Sequence, residues 1–199
     1  MADKPTDDDD AASKKKDGSP QHTLLKARSI LLFGPIEPKL TREVITQLVL
    51  MDQMSKTKPI RLLINSPGGL ADDGFAIFDM ARFISAPVYT ICTGLAASAA
   101  TIVMVASPKD HRFILPHSRV MLHQPSVGVR GTASDIAIGA KEILRVRKKA
   151  NELFALETGQ PLEKIEKDMH RDFWMAPEEA LAYGLVGKII RSEKDLPAA

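Results

Sequence analysis

Short apolar runs alternating with longer amphipathic segments predict an α/β fold built from βαβ units. Three observations carry that expectation. Residues 29–33, 60–64 and 88–93 are apolar runs of strand length. Residues 41–54 and 71–85, between them, place apolar side chains at helical spacing. The second and third runs end abruptly in Asn65-Ser66-Pro67-Gly68-Gly69 and Gly94-Leu95, as strands do when they turn toward a helix. The 199 residues, 44% hydrophobic and 26% charged, suffice for one sizeable core and would crowd two.

Taken in order, residues 29–33 form the first strand. Thr41 can cap a helix to about Met54 that lays Val44, Leu48 and Met51 on one face. Residues 60–64 are the second strand, and Phe75, Ile77, Phe78, Ala81 and Ile84 set the helical spacing of 71–85. The third strand, 88–93, leads to a small-residue apolar helix over 98–106. Two short strands, 112–115 and 119–122, flank a Pro116 turn, and 124–132 is a loop. A long helix is expected over 134–158, with Ile136, Ile143, Val146 and Leu153 near heptad spacing and Gly159 as its stop. It exceeds what a crossover needs and is expected to project from the body and meet a second subunit. Pro161 opens a short helix to Met169, Pro177 another to Tyr183, and 186–190 is the last strand.

Charge divides the chain unevenly. The net charge is +2, yet residues 1–20 carry six aspartates and four lysines, leaving +4 on the remainder. The first twenty residues hold no large apolar side chain beyond Met1, too little to offset ordering entropy. Residues 1–22 are therefore expected as a disordered tail or propeptide, 23–192 as one domain, and 193–199 as a flexible C-terminal tail. A net charge of +2 offers no strongly basic grip on nucleic acid, and the apolar runs fall short of the ~20 residues of a membrane span. The single Cys92 excludes an internal disulfide framework and a cysteine zinc site, and fits a reducing, cytoplasmic compartment.

Four features could carry chemistry. Ser98 stands after a strand, among small residues and before a helix, the setting a serine nucleophile needs. The G-x-S-x-G spacing is absent, and a small-residue helix capped by Ser98 explains the segment equally well. His123 ends a strand ahead of Gln124-Pro125, where an imidazole can be aimed into a cleft or simply lie exposed. Asp172 can hold a histidine tautomer, or pair with Arg171 at the surface. Gly68-Gly69 suits a plain turn or a cradle of N–H donors. Together they give the chain order Ser…His…Asp behind a glycine loop.

Ile64-Asn65-Ser66-Pro67-Gly68-Gly69, Thr90 to Ser98, Arg119-Val120-Met121-Leu122-His123-Gln124-Pro125, Thr158-Gly159-Gln160, Arg171-Asp172-Phe173-Trp174-Met175 and Tyr183-Gly184-Leu185-Val186 resemble the proteolytic subunits of the Clp protease family. The resemblance spans about residues 27–191. It implies a crotonase-like α/β subunit whose 134–158 helix is a projecting handle, with two seven-membered rings stacked through such handles around an inner chamber. By the same resemblance, Ser98 is the nucleophile, His123 the general base, and Asp172 the residue that orients it. The N–H groups of Gly69 and Ala99 form the oxyanion hole, and Gly68, Gly69, Gln124, Pro125 and Ser126 bind peptide as an added strand. The implied function is serine endopeptidase action on unfolded proteins and short peptides, without metal or organic cofactor. ATP would be used by a partner AAA+ unfoldase such as ClpX, ClpA or ClpC.

Several positions depart from the family pattern. Ala99-Ala100 replace the usual Met-Gly after the nucleophile, although a backbone donor survives that change. Arg61 and Leu63 stand where many members carry tyrosines in the unfoldase-docking pocket, of which Phe83 and Phe113 keep part. The N-terminal segment lacks the usual pore-loop pattern, and 127–132 is less rich in glycine and glutamine. These departures allow a barrel mixed with a paralogous subunit. The sequence thus leaves open an active peptidase, a structural or regulatory ring subunit, and an acyl-CoA enzyme of the same fold.

Overall fold

The computed structural model describes residues 19–197, so residues 1–18 of the tail expected over 1–22, and residues 198–199, lie outside the described residues. Among those described, seven strands form one sheet in the order β1-β2-β3-β4-β7, with β5 and β6 branching from β3. β1 (Ser29–Phe33), β2 (Ile60–Ser66), β3 (Val88–Ala97) and β4 (Arg112–Ile114) run parallel. β7 (Lys188–Ile189) adds parallel to β4. β5 (Arg119–Leu122) pairs parallel with the far end of β3 and antiparallel with β6 (Phe173–Met175).

Helices connect these strands as expected, with shifted ends. α1 (Pro20–Lys26), capped by Ser19, precedes β1, so the tail boundary drawn at residue 22 falls inside a helix. α2 (Pro38–Met54) starts one turn before the expected Thr41 cap, because Pro38 occupies its first turn and Thr41 is buried inside the helix. α3 (Ala71–Phe83), α4 (Ala99–Met104), α5 (Ala133–Thr158), α6 (Leu162–Asp168) and α7 (Pro177–Tyr183) follow. Strand β3 runs four residues past its expected end, and β6 was not legible at all, since three residues are too few to show a period. Residues 193–197, expected to be flexible, begin with a 3-10 turn at Glu193–Asp195. Leu196 packs there on the sheet.

Strand alternation divides the core in two. Ile30, Leu32, Leu62 and Ile64 meet Val44, Leu48 and Met51 of α2 in the main buried cluster. Side chains of opposite parity, Tyr89, Ile91 and Phe113, form a smaller cluster with Ile190. Fully burying one such aliphatic side chain stabilises the fold by about 1.5–3 kcal/mol.

Polar contacts then lock elements that apolar packing leaves free to slide. Arg112, 1% exposed, donates to the Ser107 carbonyl at 2.6 Å, the Glu157 carbonyl at 2.9 Å and the Glu157 carboxylate. Arg82 of α3 reaches the same carboxylate at 2.6 Å. Burial pushes the Arg112 guanidinium below its ordinary value, and Glu157 pulls it back. These bonds root the last turn of α5 in the body, where Ala150, Asn151, Phe154 and Thr158 are buried. At about 1.5 Å per residue, the exposed part of this 26-residue helix projects well beyond that root, with Ile136, Ile138 and Leu144 exposed. Ahead of β1, Arg28 donates to the carbonyls of Met51, Ser55, Lys58 and Pro59, capping α2.

Asp52, buried at 5% exposure, accepts from Lys56 and from the Ser85 and Ala86 N–H groups at 3.0 and 2.9 Å. Lys56 and then those two N–H groups hold its carboxyl below the usual range, outweighing burial. A carboxyl so depressed stabilises the fold above the ordinary carboxyl range, about pH 4, and that contribution disappears as pH falls toward the folded value. Asp52→Asn should therefore lower the urea midpoint at pH 7, and its difference from wild type should shrink below about pH 4. Glu157→Ala leaves a buried guanidinium unpaired and should cost about 3–5 kcal/mol in denaturant unfolding.

Candidate active site

The site is built by the far end of β3. This strand pairs with β2 one-to-one up to Ile64 opposite Cys92, then Ser66 meets Ala96, so β3 carries two extra residues. Such a bulge bends a strand. Asn65 Oδ1 fills the bend, accepting from the Leu95 N–H at 3.2 Å. A Cβ on Gly94 would lie 2.8 Å from the same oxygen, which explains the glycine. Leu95, Ala96 and Ala97 then pair with β5, and Ser98 follows at φ 54°, ψ −127°. Positive φ is sparsely populated by residues other than glycine and stores strain. The Ser98 N–H bonds to Met121 O at 2.9 Å, and Thr101 bonds to Ser98 O through both its N–H and its hydroxyl. Ser98 makes no side-chain capping bond to α4, so its hydroxyl is left for another partner.

That partner is His123. Ser98 Oγ lies 2.8 Å from His123 Nε2, and His123 Nδ1 lies 3.1 Å from Asp172 Oδ1. The arrangement fits an imidazole donating Nδ1–H to the carboxylate while Nε2 accepts the serine hydroxyl proton. β5 aims His123 from its C-terminal end, and β6, antiparallel to it with Leu122 opposite Phe173, delivers Asp172 beside it. Asp172 thus pairs with His123 and not with Arg171. Histidines weighed against His123 lie elsewhere: His111 packs on Tyr89 and pairs with Asp110 at 3.9 Å, and His117 is exposed.

Gly68 and Gly69 sit against this turn. A Cβ on Gly68, at φ +90°, would lie 2.5 Å from Ala97 O, 2.7 Å from Ser98 Cβ and 2.9 Å from Ala99 N. Ile36 uses Gly68 O and the Leu70 N–H at 2.8 and 2.9 Å. In a strand-like segment alternate peptide groups point to opposite sides, so the intervening Gly69 N–H faces away from Ile36. The Ala99 N–H opens α4 and belongs to the turn that has no intrahelical acceptor. Ala99 itself packs on α3: a Cβ on Gly74 would lie 3.2 Å from its own.

A cavity of about 470 Å³ opens at this point, lined by Gly69, Ser98, Ala99, His123, Pro125 and Ser126. Its deeper wall comes from Ile102, Ile143, Val146 and Phe154. Near-heptad spacing marked Ile143 and Val146 only as part of an apolar stripe on the long helix, since helical spacing identifies an apolar face without saying what covers it. Gln124, expected to bind peptide, is absent from the lining; its amide turns to the His170 carbonyl instead. Of the four expected docking residues, Phe83 is 84% exposed, Leu63 is half-buried, and Arg61 pairs with Glu193. Phe113 is 1% exposed and closes the smaller core cluster, so its ring faces no partner on this subunit.

A family profile described as Clp protease matches residues 13–193. The chain belongs to the Clp protease family. It is 48% identical over 192 residues to ATP-dependent Clp protease proteolytic subunit 2 of Treponema denticola, covering 96% of this chain and 92% of that one. Proteolytic subunit 3 of Rhizobium johnstonii is 47% identical over 173 residues, 87% of this chain and 89% of that one. A solved structure of a single-substitution variant of ClpP1 from Listeria monocytogenes superposes with a TM-score of 0.82 at 40% identity, covering 87% of this chain and 97% of that one. Clp protease membership implies a peptidase, and the crotonase-like α/β architecture expected from the sequence is the one this chain adopts. No described helix is long and apolar enough to cross a membrane.

Gly68→Ala would push a methyl into the Ser98 turn. It should slow fluorophosphonate labelling by on the order of 10²-fold, the usual penalty for misplacing a reacting group by about 1 Å. Intact-mass kinetics measure this directly.

Proposed function

We propose that the chain is a serine endopeptidase subunit that cleaves unfolded polypeptides and short peptides through an acyl-enzyme. The observation that carries this reading is the continuous hydrogen-bond relay from Ser98 Oγ to His123 to Asp172 at the mouth of the cavity. Peptide binds as an extended strand between the Gly68-Gly69 loop and the segment that follows Gln124, its backbone supplying affinity and the apolar cavity taking a side chain. Ser98 Oγ attacks the scissile carbonyl as His123 Nε2 takes its proton. The oxyanion that forms is held by the N–H groups of Gly69 and Ala99. Collapse breaks the C–N bond, His123 gives the proton to the leaving amine, and Ser98 carries the acyl group. Water, deprotonated by His123, then attacks the ester and releases the second fragment. Asp172 keeps His123 in the required tautomer and stabilises its cation.

This chemistry draws on no metal or organic cofactor. Two stacked heptamers, alike or mixed with a paralogous subunit, would place these sites in an inner chamber. The projecting, apolar-studded part of α5 supports such stacking. An AAA+ unfoldase would spend the ATP and thread substrate in the cytoplasm, docking near the exposed Phe83.

A fluorophosphonate should label Ser98, and Ser98→Ala should abolish both labelling and peptide hydrolysis. A well-formed assembly that resists labelling with and without unfoldase, or one that turns over acyl-CoA thioesters and leaves peptides intact, would defeat the reading. Asp172→Asn should lower kcat about a thousandfold or more by favouring the wrong tautomer.

A further inference from the structure

Gln124 follows His123 directly, yet its side chain points away from the cavity. Its Nε2 donates to the His170 carbonyl at 2.8 Å, and its backbone N–H donates to the Met169 carbonyl at 2.6 Å. Met169 is a fixed point: it is 2% exposed and part of the main core. The end of α6 just before it is tied down by Asp168, which accepts from Tyr183 Oη at 2.9 Å and from Lys164.

Asp172 is held differently. Its carboxylate is more than half exposed, and its one hydrogen bond among the described residues is the one to His123. Neither a backbone N–H nor a cation fixes it. Its placement therefore depends on the short loop 170–172 that carries it. The far end of that loop is fixed by β6, where Phe173 sits opposite Leu122. The near end is fixed by Gln124. Leu122 and Gln124 thus grip the two ends of the loop, and His123 projects between them toward its middle.

From this geometry we infer that Gln124 is a positioning residue for the His123–Asp172 pair. The inference rests on the peptidase reading above and gives Gln124 a role in it other than contact with substrate. Its amide sets how closely the loop approaches His123, and so how much of the time the carboxylate is within reach of Nδ1. The effect falls on the chemical step and leaves peptide binding alone, since the side chain does not line the cavity.

Gln124→Met keeps the length of the side chain, removes the donor and leaves the backbone bond in place. In the assembled protein it should lower kcat for a fluorogenic peptide by roughly 10- to 100-fold, with KM changed less than about twofold. It should also cost nothing further in the Asp172→Asn background, where the rate of fluorophosphonate labelling is the readout, because residues acting through one another are not additive. A rise in KM with kcat unchanged, or an undiminished loss in the Asp172→Asn background, would overturn it. A crystal structure of Gln124→Met decides the matter without turnover. Asp172 Oδ1 is expected to lie beyond hydrogen-bond distance of His123 Nδ1, and retention of the 3.1 Å contact refutes the inference. Wild-type protein that hydrolyses no peptide counts against the peptidase reading, while that crystal structure still tests the role of Gln124.

Discussion

Backbone strain at Ser98 and the absence of a side chain at Gly68 are two halves of one constraint. A non-glycine residue at φ 54° costs on the order of 1–3 kcal/mol and persists only where its surroundings permit no alternative. Here the strand before it is paired on both edges, the N–H of Ser98 is bound to Met121, and its carbonyl is bound twice by Thr101. Gly68 presses on the turn from outside with no room for a Cβ. The same turn lifts the serine hydroxyl out of β3 toward β5, exposes the first N–H groups of α4, and brings the glycine loop within reach of them. The positions of Ser98, His123 and the Gly69 and Ala99 N–H groups thus depend on one bent strand.

The second dependence is the root of α5. Most of that helix contributes nothing to the main core, so it would pivot if only apolar contacts held it. The buried Arg112, with Arg82 and the Glu157 carboxylate between them, resists this because displacement would strand a desolvated charge. The consequence reaches the site: Ile143, Val146 and Phe154 of the same helix wall the cavity. A projecting arm suited to subunit contact and the pocket beside Ser98 are therefore one rigid piece, which supplies a physical route by which assembly can bear on the chemistry.

Particular residues show where sequence reasoning reached and where it stopped. Apolar period located α2, α3 and α5, an apolar small-residue run located α4, prolines marked the starts of α6 and α7, and the relative order of Ser98, His123 and Asp172 singled them out as candidates. Helix and strand ends were less legible. Pro38 started α2 early, and β3 ran on to Ala97 because pairing with β5 extends it, a contact between residues more than twenty positions apart. β6 owes its existence to β5 and has no local signal. The directions of the Phe113 and Gln124 side chains were not legible for a related reason: residue type and motif position say that a side chain is apolar or polar, while its direction follows from the parity of a strand or from a carbonyl 46 residues away.

Local chemistry, written in the order of residues, determined the α/β class, the long helix stopped by Gly159, the glycine loop and the candidate nucleophile, base and acid. Period, turn residues and side-chain pKa ranges act over a few positions, and they can be read without knowing what lies across the fold. Tertiary structure alone decided that Ser98 adopts a strained conformation, that His123 lies between it and Asp172, and that the Gln124 amide reaches the His170 carbonyl. Each of those depends on strands distant in sequence coming into register. Register is set by the summed burial and hydrogen bonding of the whole sheet, which no single segment encodes.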